Sequence, residues 1–245
     1  MQGAGQSPAI NDEGGNDMHH IDCLICGKPL VYQTKATPQV CAVCKQPHQS
    51  NAVCEDGHFV CDRCHAAESA DFYRLLPNST EKDPVALFMQ IVSLPTVHMH
   101  GPEHHSIVPC VLLTAYRNNG GEIALDAALD TARQRGEKVP GGICGFWGVC
   151  GAAAGAGIYA SVVTGSSPLD EKVWGIPPLL AARCLDAIAK LGGPRCCKRN
   201  ARIAIETAVQ FTKEHFHVSM PTGAEPCMHH SENKECLYRR CPYYQ

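Results

Sequence analysis

Seven of the sixteen cysteines in this 245-residue chain fall between Cys23 and Cys64, in a pattern that suits metal binding. They read Cys23-x2-Cys26, Cys41-x2-Cys44 and Cys54-x3-His58-x2-Cys61-x2-Cys64. With His58 they supply eight soft donors in four pairs, enough for two tetrahedral Zn²⁺ sites. Thiols two residues apart suit an ion because a tight knuckle turns both sulfurs onto it. A disulfide framework is the competing chemistry, and it belongs to small secreted domains. Residues 1–17 are rich in Gly, Asn and Asp and lack the apolar run of a secretory signal. The expectation is therefore bound metal in a reducing, cytoplasmic setting. His19 and His20 read as a solvated pair.

Further along, cysteines recur near predicted helix starts. Cys110 follows a histidine-rich loop carrying His98, His100, His104 and His105. Cys144 and Cys150 bracket the segment GFWGV, and Cys196 and Cys197 precede KRNARIAIETAV. The free N–H groups and dipole of a helix start favour thiolate over thiol, which suits a nucleophile or a metal ligand. Cys110, Cys144, Cys150 and Cys196 or Cys197 could ligate a 4Fe–4S cluster. A dithiol couple, such as Cys150 with Cys196, needs only two sulfurs within reach. Cys184 falls mid-helix and reads as an apolar filler. His98 and His100, alternating on an extended stretch, are expected to point the same way as possible ligands or proton donors. A last cluster holds Cys227, His229, His230, Cys236 and Cys241 before Pro242. Its Cys-x4-Cys-Pro ending fits Fe–S runs, three Cys and one His would also suit zinc, and an unstructured tail is the third reading.

Positioning elements follow from local patterning. Residues 1–20 read as a disordered tail and 21–76 as a zinc-binding module. A hairpin is predicted over Lys45–Val60, and the run from Cys61 reads as a helix carrying Cys61 and Cys64 in its first turn. Knuckle, hairpin and ligand-bearing helix make a treble-clef, with Cys41, Cys44, Cys61 and Cys64 on one ion and Cys23, Cys26, Cys54 and His58 on the other. A sequential ribbon scheme stays open. Residues 83–217 read as an all-α domain: PVALFMQIVSL, a helix from Ser106, EIALDAALDTARQR, a small-residue helix over Gly145–Gly165, and two more separated by Gly192-Gly193-Pro194. Residues 218–245 form a Cys/His-rich tail.

An apolar fraction of 44% allows a core without disulfides, and aromatics at only 6% favour close-packed helices. A net charge of −3 offers no polybasic footprint, so nucleic acid is not an expected partner. No apolar stretch reaches membrane-spanning length.

Two resemblances add to this reading. The spacing from Cys41 to Cys64 resembles the first six ligands of a RING finger. Cys110, the turn at Gly141-Gly142, the string Cys150-Gly-Ala-Ala-Ala-Gly155, and Cys196/Cys197 resemble the proteins named for a C-GCAxxG-C-C pattern, over residues 104–215. That resemblance implies a redox-active or metal-binding function. The layout is also similar to cysteine-rich proteins of anaerobes, which implies a redox, radical-SAM or methyltransferase-type enzyme as partner. The leading expectation is a cytoplasmic metalloprotein with structural zinc and a redox-active or Fe–S cysteine site handling electrons, sulfur or metal. The alternatives are a zinc-finger adaptor for protein contacts and a thiol- or metal-dependent transferase.

Overall fold

The computed structural model describes residues 23–67 and 72–245; the expected tail over 1–20, with His19 and His20, lies outside the described residues. The chain is mostly helical with one small antiparallel sheet. Strand β1 (Leu30–Val40) pairs with β2 (Pro47–Cys54), Leu30 opposite Cys54 and Val40 opposite Pro47, with an irregularity between Tyr32 and Thr37. The hairpin therefore spans Leu30–Cys54, not Lys45–Val60, and its turn contains the Cys41–Cys44 knuckle. Lys45 accepts the positive φ of 60° that closes this knuckle.

Two short helices follow, α1 (Asp62–Ala67) and α2 (Phe72–Leu75). Next come α3 (Pro84–Val92) and α4 (His104–Asn118). Asp83 caps α3, accepting from the backbone N–H of Val85 at 2.7 Å and of Ala86 at 3.2 Å, while Pro84 occupies the first turn where no N–H is missed. The remaining helices are α5 (Leu125–Gly136), α6 (Ile143–Phe146), α7 (Gly151–Thr164), α8 (Ile176–Leu191) and α9 (Cys197–Phe216). The small-residue helix expected from Gly145 is thus two helices. Gly148, at φ 70°, sits in the break between them, and Cys150 becomes the N-cap of α7.

Helix α4 is buried almost all round from His104 to Tyr116 and forms the axis of the body. Helices α3, α5, α7 and α9 pack around it. Ile107, Leu112, Phe88, Tyr159, Ile205 and Phe211 fill the shared core. The Tyr159 hydroxyl is satisfied by Thr212 at 2.8 Å. No helix among the described residues is long and apolar enough to cross a membrane.

Candidate metal centres and the cysteine cleft

The hairpin and α1 gather the eight N-terminal donors into two groups, Cys23/Cys26/Cys54/His58 and Cys41/Cys44/Cys61/Cys64. Within each group all ligand atoms lie within 4.8 Å of one another. Pairs along the sequence alternate between the two groups, so the sequential scheme is not the one adopted. The Cys26 and Cys54 sulfurs are 3.8 Å apart, as are those of Cys44 and Cys61. Zn–S bonds of about 2.3 Å at tetrahedral angles require about that separation. His58 Nδ1 sits 3.3 Å from Cys26 Sγ and 3.5 Å from Cys54 Sγ, so its ring belongs to the same cage.

Backbone amides prepare these sulfurs for a cation. Ile25 N–H donates to Cys23 Sγ at 3.4 Å, His58 N–H to Cys54 Sγ at 3.2 Å and Cys61 N–H to Cys41 Sγ at 3.4 Å. The Gln46 amide and the His48 ring pull the Cys44 thiol down to about 6. Burial pushes Cys54 up, yet the His58 and Asp56 amides outweigh it and bring the thiol to about 7. Both groups fit a single metal ion each, by donor type and by spacing.

A third group was missed in the sequence. His65, one residue beyond Cys64, meets His98 and Glu103 with ligand atoms within 4.8 Å of one another. Glu103 Oε2 lies 3.4 Å from His65 Nδ1, and Oε1 lies 3.4 Å from His98 Nδ1 and 3.8 Å from His104 Nδ1. Burial pushes the Glu103 carboxyl up, but the His65 and His98 rings beside it hold it well below the usual carboxylate range. Burial, aided by the Lys198 charge, takes His104 down to about 3 against the opposing pull of Glu103, leaving it neutral. His100 goes elsewhere: its Nε2 is 3.2 Å from Glu235, and its Nδ1 accepts from Cys197 N–H at 3.5 Å. The loop turns between His98 and His100, so the two rings do not share a site as alternation predicts.

A cleft of about 560 Å³ opens between the hairpin side and the helical body. Cys144 from α6, Cys150 from the start of α7 and Cys197 from the start of α9 all line it, with His100, His105 and Asn200. Asn200 Nδ2 reaches Cys150 Sγ at 3.7 Å. Burial raises the Cys150 thiol against the pull of the Ala152 and Ala153 amides, and it drives Cys197 up to about 12. Helix-start placement therefore does not yield free thiolates here, because desolvation exceeds the dipole's effect. Arg195 crosses the cleft to the hairpin, donating to the Tyr32 hydroxyl at 2.6 Å. Asp62 at the start of α1 accepts from Gly141 N–H at 2.7 Å.

Cys110 does not join this set. Helix α4 begins at His104, so Cys110 lies in its second turn, fully buried, with Sγ directed at the Leu129 carbonyl 3.9 Å away. Cys184 is buried in α8, its Sγ 3.6 Å from the Ala204 carbonyl. Cys196 also leaves the cleft. As N-cap of α9 it faces a separate cavity lined by Cys227, Cys236, Cys241, His229 and His230. The C-terminal segment is pinned there: Cys227 N–H donates to the Tyr243 carbonyl at 2.8 Å, and the Tyr243 hydroxyl donates to Glu206 at 2.7 Å.

Close packing of α4 on α7 lets Cys150 reach the cleft. A Cβ at Gly155 would lie 2.8 Å from the His105 carbonyl oxygen and 3.0 Å from Pro109 Cδ. Backbone cannot yield as a side-chain tip can, so Gly155→Ala is expected to cost about 1–3 kcal/mol through overpacking. That loss exceeds the helix-propensity gain of about 1 kcal/mol. Urea unfolding measures it, and an unchanged or higher midpoint would contradict the close approach.

A model of the DUF5714 family, a family of unknown function, matches residues 72–244. The match covers more than half of the chain, and the chain belongs to that family. No curated protein matches it, and no solved structure does.

Proposed function

We propose that this protein is a cytoplasmic metalloprotein whose N-terminal module holds two structural zinc ions and whose cleft is a redox-active cysteine centre. The observation that carries the reading is that Cys144, Cys150 and Cys197, from three separate segments, all line one cleft of about 560 Å³. In this reading the module is a treble-clef, RING-like in its interleaved ligands, spanning 21–76 ahead of a helical domain over 83–217. Its function is to wall the cleft. Oxidation of Cys150 with Cys144 or Cys197 to a disulfide passes two electrons to an oxidised electron-carrying partner protein and two protons to solvent, and a dithiol reduces the disulfide again. Phe146 and Trp147 line the same cleft and are exposed, 43% and 67%, which supports docking of a protein partner beside the thiols. The resemblance to proteins of anaerobes suggests a redox, radical-SAM or methyltransferase-type enzyme in that position.

A second reading has one observation in its favour. Cys144, Cys150 and Cys197 line one cleft with His100 and His105, a soft donor set that suits a thiophilic metal ion. Such an ion would have to displace the protons that burial keeps on Cys150 and Cys197. Both readings are tested on anaerobically isolated full-length protein. Mild diamide oxidation is expected to yield one intramolecular disulfide containing Cys150, mapped by mass spectrometry and lost in Cys150→Ala. In the reduced protein, alkylation of Cys150 and Cys197 should accelerate as pH rises above the ordinary thiol range, since burial keeps them protonated at neutral pH. Metal released by Cys150→Ala, with no disulfide formed in the parent, supports the second reading. A Cys150→Ala variant that alters neither metal nor disulfide content refutes both.

A further inference from the structure

We infer that Cys196, Cys227, Cys236 and Cys241 form a third metal centre, an iron–sulfur site separate from the cleft and built jointly by α9 and the C-terminal segment. All four line one small cavity. Three of them carry the backbone-amide contact seen at the N-terminal metal groups. Arg199 N–H donates to Cys196 Sγ at 3.4 Å, His229 N–H to Cys227 Sγ at 3.4 Å and Tyr238 N–H to Cys236 Sγ at 3.3 Å. The last two repeat the two-residue offset of Ile25 on Cys23. Such donors favour thiolate, the form that binds metal, against the burial that raises Cys196 and Cys227.

Charge supplies an independent observation. Lys198, Arg199 and Arg202 line the same cavity and are 4–5% exposed. Arg202 has Glu206 at 2.9 Å and stacks on the Tyr243 ring at 4.1 Å. Lys198 donates to the Val92 and Val97 carbonyls, and Arg199 to the Gly192 and Pro194 carbonyls and to Asn200. Neither Lys198 nor Arg199 has a carboxylate partner at ion-pair distance among the described residues. Buried cations without counter-charge are costly. Arg202 is balanced by Glu206, and burial lowers Lys198 to about 8 although the Glu232 and Glu103 carboxylates oppose it. A four-thiolate metal centre is an anion, and it would add the negative charge that Lys198 and Arg199 still lack.

The ligand run favours the class of centre: Cys236-x4-Cys241 followed by Pro242 has the form of iron–sulfur ligand runs. The four cysteines are not among the groups of described residues whose ligand atoms lie within 4.8 Å of one another. One tetrahedral zinc ion demands that closer spacing. An iron–sulfur cluster places inorganic sulfide and several irons between its thiolates and holds them farther apart.

The test uses full-length protein isolated without oxygen. Iron and acid-labile sulfide should accompany the zinc, with visible charge-transfer absorption that bleaches under dithionite. Cys236→Ala and, separately, Cys241→Ser should each reduce iron and sulfide to background while zinc stays unchanged. Cys150→Ala should leave the iron in place, which separates this site from the proposed cleft chemistry. Lys198→Met should retain the fold, judged by circular dichroism, and lose iron several-fold faster to a chelator. Zinc lost in place of iron from the Cys236 and Cys241 variants would overturn the iron–sulfur assignment. Unaltered metal content in both variants, or in folded Lys198→Met an unaltered rate, would overturn the site or the role of its cations.

Discussion

Cys41→Ser is expected to unfold the N-terminal module while the helical body stays intact. Among described residues 23–67 the buried positions are Cys23, Cys41, Cys54 and Cys61 alone, so the module has no apolar core to fall back on. Its two-stranded sheet is marginal by itself in water. Zinc binding in comparable small modules contributes about 10–16 kcal/mol at neutral pH, and that binding energy is folding energy. Serine is a poor ligand for the ion proposed at Cys41, Cys44, Cys61 and Cys64, and the hairpin threads both groups, so loss of one ion should loosen the other. Protease cleavage should become rapid within residues 23–67, and zinc content should fall by one to two per chain. Helical circular dichroism from residues 72–245 should persist. A variant that keeps both ions and resists protease would show that the module is held by something else.

Glu103→Ala is the second large effect, expected to cost about 3–5 kcal/mol because it removes the buried carboxylate that faces the His65, His98 and His104 rings. His65 arrives from α1, while His98, Glu103 and His104 belong to the loop and the start of α4. The substitution therefore weakens the attachment of module to body as well as the body itself. Glu103→Gln keeps the volume and separates charge from packing. The pH dependence has a definite sign. Glu103 has a folded-state pKa well below its ordinary value, so its contribution is complete above the unfolded carboxylate range and is lost as pH falls below it. The stability gap between parent and Glu103→Gln protein, followed by thermal unfolding from pH 7 down to pH 3, should therefore narrow toward the acid end. Parallel curves across that range would deny the carboxylate its role.

The eight N-terminal donors were legible because paired-thiol spacing is a local geometric demand, and the ligand-bearing helix start at Cys61–Cys64 follows from the same logic. The hairpin was misplaced because β1, LVYQTKATPQV, is half exposed along its length and shows no strict apolar alternation. Helix α4 starts at His104, two residues before the Ser106 expected from the sequence, which leaves Cys110 in the second turn. Glu103 and His65 escaped notice since their meeting is tertiary, between residues with no motif spacing. The division of Cys196 from Cys197 was equally hidden. It depends on the extended backbone of the N-cap residue, φ −140° and ψ 113°, followed at once by helical geometry.

That division makes the first peptide of α9 a shared wall between two chemical compartments. Cys196 looks toward the C-terminal cavity and Cys197 toward the cleft, with no residue between them to absorb a displacement. The helix that follows is fixed by the buried side chains of Ala201, Ala204, Ile205 and Ala208, so it cannot rotate to favour one side. Helical residues advance by about 100° each, and a one-residue insertion or deletion at this point would misdirect both thiols together. Single-residue exchange can change the lining of either cavity alone. A change in chain length here cannot.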